Sequence, residues 1–180
     1  MRTMAVTLPW FLPGLVLSLI VGVLVGPPLA RALRTRRAVG YVLVVSIGAI
    51  LAATIPPDSS VFDSTPGGIG HCGLDEAWLA PLSHYLRLTE ESLNVLLFIP
   101  LGLALAVLPR SRRTTTLIAA AFALPIAIEA TQLVVPVLGR GCEMADVANN
   151  TVGLVLGLVV GGVSVALARV ATARGRAKWT

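Results

Sequence analysis

The chain has 180 residues, of which 56% are apolar and 13% are charged. Its mean hydropathy of +0.86 excludes an ordinary water-soluble domain. The formal net charge of +5 would suit a nucleic-acid partner, but the basic residues follow the pattern of a membrane protein, so no nucleic-acid partner is expected.

Five apolar segments follow one another along the chain, and each supplies enough residues to cross a bilayer as a helix. Four contain no charged residue, and the remaining one contains only Glu129. Because backbone groups in lipid must be hydrogen-bonded within their own segment, the sequence predicts an all-α integral membrane bundle of five transmembrane helices. The whole chain, 1–180, is then one domain. The predicted spans are 8–29, 39–55, 92–108, 114–135 and 147–168.

Basic residues on one side of this bundle set its predicted orientation. Eleven of the fourteen lysines and arginines lie after the first, third and fifth spans, a side that the positive-inside rule assigns to the cytoplasm. The N-terminus is therefore expected outside and the C-terminus inside the cell membrane, with anionic lipid as the partner of the basic rim. The eleven residues are Arg31, Arg34, Arg36, Arg37, Arg110, Arg112, Arg113, Arg169, Arg174, Arg176 and Lys178.

The first span is expected to be a retained helix and not a cleaved signal peptide. Only Arg2 precedes the apolar stretch, and an arginine cluster follows it where a cleavage site would be needed. Gly22 and Gly26 form a pair of small residues four apart, which is typical of a helix-packing face. The second span carries no comparable polar feature and is interpreted as scaffold.

A long polar segment, 56–91, connects the second and third spans on the outer side. Its first part is rich in glycine, proline and serine and is expected to be irregular. In its second part Leu74, Trp78, Leu82 and either Tyr85 or Leu86 recur at helical spacing. This pattern predicts a short interfacial helix lying on the outer membrane face.

The chain contains two cysteines, Cys72 and Cys142, and the predicted topology places both outside. An oxidising exterior and an even count favour a disulfide between them. The alternative is a metal site that adds His71 and His84, but these spacings match no regular zinc pattern. A disulfide is therefore predicted, and neither a metal nor a cofactor is expected.

Polar residues gather in the outer third of the predicted membrane region. Glu129 lies about two turns from the outer end of its span, where a carboxylate needs a partner or stays protonated. Two interpretations are open: an interhelical clamp of hydrogen bonds and ion pairs, in which Arg140 pairs with Asp146 or Glu129, or an outward-facing pocket for a polar headgroup. The residues concerned are Asn94, Glu129, Gln132, Arg140, Asp146 and Asn150.

A stripe of small residues continues from this polar group along the last span. Residues 146, 150, 153, 157 and 161 are spaced by four, three, four and four, so they share one helix face. Without side chains, such a face allows a neighbouring backbone to come close. The predicted packing residues are Gly153, Gly157 and Gly161 on this helix and Gly102 on the third span, two residues after a predicted kink at Pro100.

These residues occur together in a recognisable order. Their pattern and separations resemble the VanZ-like family of membrane proteins over about residues 92–161. The resemblance implies a small multi-pass protein of the bacterial cell membrane, and VanZ itself is associated with low-level teicoplanin resistance. The cysteine pair and the long Pro/Gly-rich loop depart from the simplest family pattern, so a specific glycopeptide role does not follow from it. The motifs are Asn94-x5-Pro100-x-Gly102, Glu129-x2-Gln132 and Gly139-Arg140-x5-Asp146-x3-Asn150-x2-Gly153.

The favoured function is recognition at the outer leaflet in cell-envelope physiology, with a cell-wall precursor, a lipid headgroup or a glycopeptide as ligand. Arg140 would pair with a phosphate or carboxylate, and Glu129 would be the titrating group. A membrane hydrolase or transferase, with Glu129 and Asp146 as acid and base, competes with this function. It lacks a nucleophile beside a base, so no catalytic residue is assigned. A purely structural membrane protein also fits the pattern, whereas a transporter is disfavoured because the spans show no repeat pairing.

Overall fold

The computed structural model describes residues 10–57, 72–73, 79 and 81–177. In these ranges nearly all of the chain is helical, and one short parallel pair of strands joins two loops. A 3-10 turn, Pro136–Leu138, follows the fifth helix. The elements are α1 (Phe11–Ala32), α2 (Arg37–Thr54), β1 (Cys72–Gly73), α3 (Leu82–Tyr85), α4 (Glu90–Ala106), α5 (Arg112–Val134), β2 (Cys142–Glu143) and α6 (Met144–Ala177).

Four helices of the described chain are long and apolar enough to cross a membrane: α1, α2, α5 and the Met144–Arg174 part of α6. The predicted all-α membrane class is therefore confirmed. The predicted third span corresponds to α4, whose 17 residues measure about 26 Å at 1.5 Å per residue. This length is at the lower limit of the ~17–25 residues of a transmembrane helix, so the structure supports four spans and does not confirm the fifth.

The helix ends differ from the predicted spans by a few residues at most positions. Residues 8 and 9 of the predicted first span lie outside the described ranges. Pro27 and Pro28 do not end α1, which continues to Ala32. The largest difference is in α6, whose 34 residues correspond to about 51 Å and exceed the membrane core. Its last turns therefore carry Arg169 and Arg174 beyond the apolar part.

Helices α1 and α2 form an antiparallel hairpin. A Cβ atom on Gly26 would lie 2.8 Å from the backbone of Tyr41, and one on Gly22 would lie 2.6 Å from a methyl group of Val45. The connection turns at Arg34, which has a φ of 53°, the left-handed conformation that side chains other than glycine rarely adopt. The glycines thus allow two backbones to approach with little side-chain material between them.

Helices α4 and α6 run parallel to one another in the tightest contact of the bundle. A Cβ atom on Gly153 would overlap the carbonyl oxygen of Val95, and one on Gly157 would overlap that of Ile99. The reciprocal position, Gly102, faces the carbonyl oxygen of Leu154. The glycine stripe therefore lies against α4. The buried core around this contact includes Leu43, Ile50, Phe98, Leu101, Leu105, Ile128 and Leu154.

The bundle has two chemically different ends. At one, which we call the polar end, the last turns of α2 and α5 meet the first turns of α4 and α6. The side chain of Gln132 reaches the Thr54 carbonyl there. At the other, the basic end, Arg113 donates to the Ala32 carbonyl across 3.1 Å. The loops that contain the arginines therefore share one end.

The predicted interfacial helix is described only at its C-terminal part. Helix α3, Leu82–Tyr85, forms one turn there, whereas residues 74–78 lie outside the described ranges. Leu82 and Leu86 are 76% and 81% exposed. This apolar exposure is compatible with a segment that lies against a membrane surface.

Candidate functional site

A disulfide joins the two loops at the polar end. Cys72 and Cys142 are bonded to each other, with their Cα atoms 4.5 Å apart, and they also pair in the register of β1 and β2. The predicted disulfide is present, so these two thiols are not available together as metal ligands. Of the histidines in the rival metal site, His84 lies 3.4 Å from Glu91 at the surface, and His71 lies outside the described residues.

Glu129 is the most deeply placed carboxyl group of the described polar end, at 4% exposure. Its Oε2 accepts a hydrogen bond of 2.8 Å from the backbone N–H of Glu143 in β2. After α5 the chain turns back, so that β2 comes close to Glu129. The reversal uses the 3-10 turn and Gly139, whose φ of 63° requires the freedom of glycine. Arg140, Glu143 and Asp146 all lie within electrostatic reach of Glu129.

Asn94 and Asp146 link the first turns of α4 and α6. The Asn94 Nδ2 donates to the Asp146 Oδ1 across 2.5 Å. The carboxylate also lies at a helix N-terminus, where the helix dipole favours negative charge. Thr89 and Ser92 form a reciprocal capping box at the start of α4, which fixes the turn that presents Asn94.

Gln132 and Arg140 both bind the end of α2. The Gln132 Nε2 donates to the Thr54 carbonyl across 3.0 Å, and the Arg140 Nε donates to the Pro56 carbonyl across 3.1 Å. The last carbonyls of a helix have no partner within the helix, and buried ones need another donor. These two side chains supply donors from α5 and the following loop.

Asn149 was not among the predicted site residues, although it is 1% exposed. Its Oδ1 accepts a hydrogen bond of 2.6 Å from the hydroxyl of Tyr85, at the end of α3. The sequence feature that could have identified Asn149 is the pair of adjacent asparagines in an apolar helix. Two neighbouring helical positions face directions about 100° apart, so each needs its own partner.

Asn150 lies one helical turn after Asp146 on the same face and is 2% exposed. Its side-chain oxygen is fully buried and accepts no hydrogen bond from any described residue. Most buried polar atoms in proteins have a partner, and one left unsatisfied costs about 1–3 kcal/mol. The Asn150 oxygen is thus a buried acceptor without a partner among the described residues, one helical turn below Asp146.

Carboxyl groups outnumber arginines in the described part of the polar end. Asp146 lies within electrostatic reach of Glu90, Glu91 and Glu143, and Glu129 belongs to the same group. The arginines of this end in the described ranges are Arg87 and Arg140. Such an excess of acceptors favours cations and hydrogen-bond donors over anions.

All six predicted polar residues thus lie at the polar end. Asn94 and Asp146 bind each other, whereas Glu129, Gln132 and Arg140 bind backbone groups of other segments. Asn150 is buried among them. Among the described residues, no group of three or more histidine, cysteine, aspartate or glutamate side chains is arranged to hold a metal ion.

The chain was compared with known proteins by family, by sequence and by structure. Neither a curated protein nor a solved structure matches it significantly. The model of one family, described as VanZ/LLP1, matches residues 71–164. This segment is just over half of the chain and contains the disulfide, the six predicted polar residues and the glycine stripe. The chain belongs to the VanZ/LLP1 family.

Proposed function

We propose that this protein is a multi-pass protein of the bacterial cell membrane whose polar end faces outward and binds an amine-bearing ligand of the cell envelope. In this proposal α4 is a fifth span, and the chain forms one domain with its N-terminus outside and its C-terminus in the cytoplasm. The shared position of the arginine loops at the basic end supports this orientation through the positive-inside rule. The disulfide at the polar end supports it too, because disulfides persist in oxidising compartments.

The observation that carries the proposal is the buried, unpaired side-chain oxygen of Asn150. It lies one helical turn after Asp146, on the helix face that continues to Gly153 and packs against α4. A ligand with an ammonium group has several N–H donors in a compact cation. Such a group would satisfy the Asn150 oxygen and gain from the surrounding carboxylates.

Three kinds of ligand share this chemistry: an ethanolamine headgroup, the peptide of a cell-wall precursor, and a glycopeptide that carries an amine. If the ligand is the glycopeptide, its binding would give the cell resistance of the teicoplanin type. In this proposal Arg140 positions the loop through its bond to the Pro56 carbonyl. The sequence alone had suggested this residue as a receptor for a phosphate or carboxylate.

The test uses the full-length protein in lipid nanodiscs that contain equal amounts of phosphatidylethanolamine and phosphatidylcholine. The two headgroups differ in N–H donors, which choline lacks. Native mass spectrometry then counts the lipids that remain bound. We expect the wild type to retain phosphatidylethanolamine preferentially and the Glu143→Gln/Asp146→Asn variant to lose that preference.

The control variant is Arg112→Gln/Arg174→Gln, which changes two charges at the basic end and none at the polar end. It should keep the wild-type preference. Teicoplanin added to the nanodiscs should displace the retained phosphatidylethanolamine if a glycopeptide is a natural ligand. Equal retention of both lipids by the wild type, with no displacement by teicoplanin, would refute a site for amines.

A second candidate function is a purely structural clamp that holds the helices together. The observation that favours it is that Asn94, Gln132 and Arg140 each donate to another segment of the protein. A clamp predicts that substitutions at the polar end lower the unfolding temperature without altering lipid preference. The same nanodisc samples, heated in a thermal-shift assay, distinguish the two functions.

A further inference from the structure

A cleft of about 390 Å³ opens at the basic end between the end of α4 and the later turns of α6. This volume lies within the ~300–1,000 Å³ that is typical of small-molecule sites. One wall is apolar and includes Val107, Val165 and Ala166, while the mouth carries Arg110 and Arg169. The cleft thus combines hydrocarbon contact with two guanidinium groups.

Local hydrogen bonds hold the loop that presents Arg110. The Ser111 hydroxyl caps α5 by accepting from the Thr114 backbone N–H, and the Thr114 hydroxyl donates to the Pro109 carbonyl across 2.6 Å. Arg113 is bonded to the Ala32 carbonyl. Because the backbone on both sides of Arg110 is fixed, a ligand at its guanidinium group would meet a preorganised site.

In the part of the chain that the structure describes, no aspartate or glutamate side chain lies at the basic end to offset its positive charge. The five described acidic residues all lie at the polar end: Glu90, Glu91, Glu129, Glu143 and Asp146. A guanidinium group binds phosphate through paired hydrogen bonds. Basic pockets between transmembrane helices are a recurrent site for the headgroups of anionic lipids.

We propose that this cleft binds one anionic phospholipid from the leaflet at the basic end, with its phosphate between Arg110 and Arg169 and an acyl chain along the apolar wall. The cleft begins where the apolar part of α4 ends at Ala106, which is the depth of a headgroup. Exposed apolar side chains of α6 such as Val163 continue the hydrocarbon surface beside it. A phosphate group attached to a hydrocarbon chain is the ligand that matches both features.

The test is retention of phosphatidylglycerol by the full-length protein, measured by native mass spectrometry from nanodiscs with equal phosphatidylglycerol and phosphatidylcholine. We expect preferential retention of phosphatidylglycerol by the wild type. The Arg110→Gln/Arg169→Gln variant should lower it by about fivefold per arginine, the usual effect of one basic residue near an anionic surface. The matched control is Arg112→Gln/Arg174→Gln, which removes two arginines from the same loop and the same helix but outside the cleft.

A second variant blocks the cleft without changing charge. A Cβ atom on Gly162 would meet nothing within 4 Å, so Gly162→Leu is expected to fold and to project its side chain into the space. It should lower phosphatidylglycerol retention, whereas Val163→Leu on the neighbouring lipid-facing position should not. An unchanged unfolding temperature confirms that Gly162→Leu is folded.

Three results would overturn the proposal. One is equal retention of phosphatidylglycerol by both double variants, which would indicate general attraction to the basic rim. Another is unchanged retention by Gly162→Leu. The last is complete displacement of the lipid by millimolar inorganic phosphate, which would identify a site for a free anion and not for a lipid.

Discussion

Asn94 and Asp146 form a side-chain hydrogen bond at a position where two helices enter a low-dielectric region. Each group needs the other, because neither the amide nor the carboxylate has free access to water at partial burial. Hydrogen bonds between transmembrane helices are worth about 0.6–2 kcal/mol. Their loss costs more when one partner remains buried and unpaired.

We therefore expect Asn94→Ala to lower the unfolding free energy by about 1–3 kcal/mol, since it leaves the Asp146 carboxylate without its donor. Asp146→Ala should cost a similar amount. In a double-mutant cycle the two substitutions should be coupled by about 0.6–2 kcal/mol. The measurement is reversible unfolding of the purified protein in detergent, and additive effects of the two changes would contradict a direct bond.

The sequence placed the six polar residues at one end, because helical spacing and span boundaries are local properties. The hydrogen-bond partners of these residues were harder to predict from the sequence. Arg140 was expected to pair with a carboxylate, and it lies within electrostatic reach of Glu129. Its hydrogen bond to the Pro56 carbonyl was not predictable, because every residue type offers the same backbone carbonyl. Asn149 escaped notice for a related reason, since its partner Tyr85 is 64 residues away in sequence.

At the scale of elements, the contact between α4 and α6 depends on the absence of side chains. Carbonyl oxygens of Val95 and Ile99 occupy the space that Cβ atoms on Gly153 and Gly157 would need. Backbone cannot move aside as a flexible side chain can, so a substitution there must separate the helices. Gly162, five residues further along α6 than Gly157, faces open space.

This difference gives a matched pair of variants on one helix. Gly157→Val should lower the unfolding free energy by about 2–3 kcal/mol, as expected when a packed contact is overfilled. Gly162→Val adds the same side chain in the same helix and should change it by less than about 0.5 kcal/mol. Thermal unfolding in the same detergent checks both, and equal destabilisation by the two variants would contradict the packing explanation.

The spacing of glycines predicted a close-packed face but not the helix on its other side. Charge-free segments located the helices well, because the cost of burying charge is large and local. Their ends were less predictable. Helix α6 continues through Ala177, since six of the residues 169–177 are alanine or arginine, which are good helix formers and outweigh the single Gly175.

At the scale of the whole molecule, opposite charges occupy opposite ends. The polar end holds the disulfide and the described acidic residues, while the basic end holds the arginine loops. The fold shows that these groups are separated along the bundle axis. From the positive-inside rule we propose that the basic end faces the cytoplasm.

A membrane-impermeant maleimide tests that orientation in intact cells. After mild reduction we expect both Cys72 and Cys142 to be labelled, and without reduction neither should react, because the thiols are joined. A cysteine introduced as Arg174→Cys in a Cys72→Ser/Cys142→Ser background should react only after the cells are permeabilised. Labelling of residue 174 in intact cells would reverse the topology and place the polar end inside.

The central claim is that the polar end is a ligand site and not only a clamp, and Asn150→Leu tests it most directly. Leucine has the same branched arrangement of four side-chain heavy atoms as asparagine but is larger and has no acceptor, so it removes the unpaired oxygen. In the phosphatidylethanolamine/phosphatidylcholine nanodiscs we expect retention of phosphatidylethanolamine to fall about tenfold, the value of one charge-assisted hydrogen bond. The unfolding free energy should change by less than about 1 kcal/mol, because relief of the unsatisfied acceptor, about 1–3 kcal/mol, offsets the overpacking by the larger leucine, also about 1–3 kcal/mol. Unchanged lipid retention together with a large loss of stability would contradict the account and assign the polar end to the clamp.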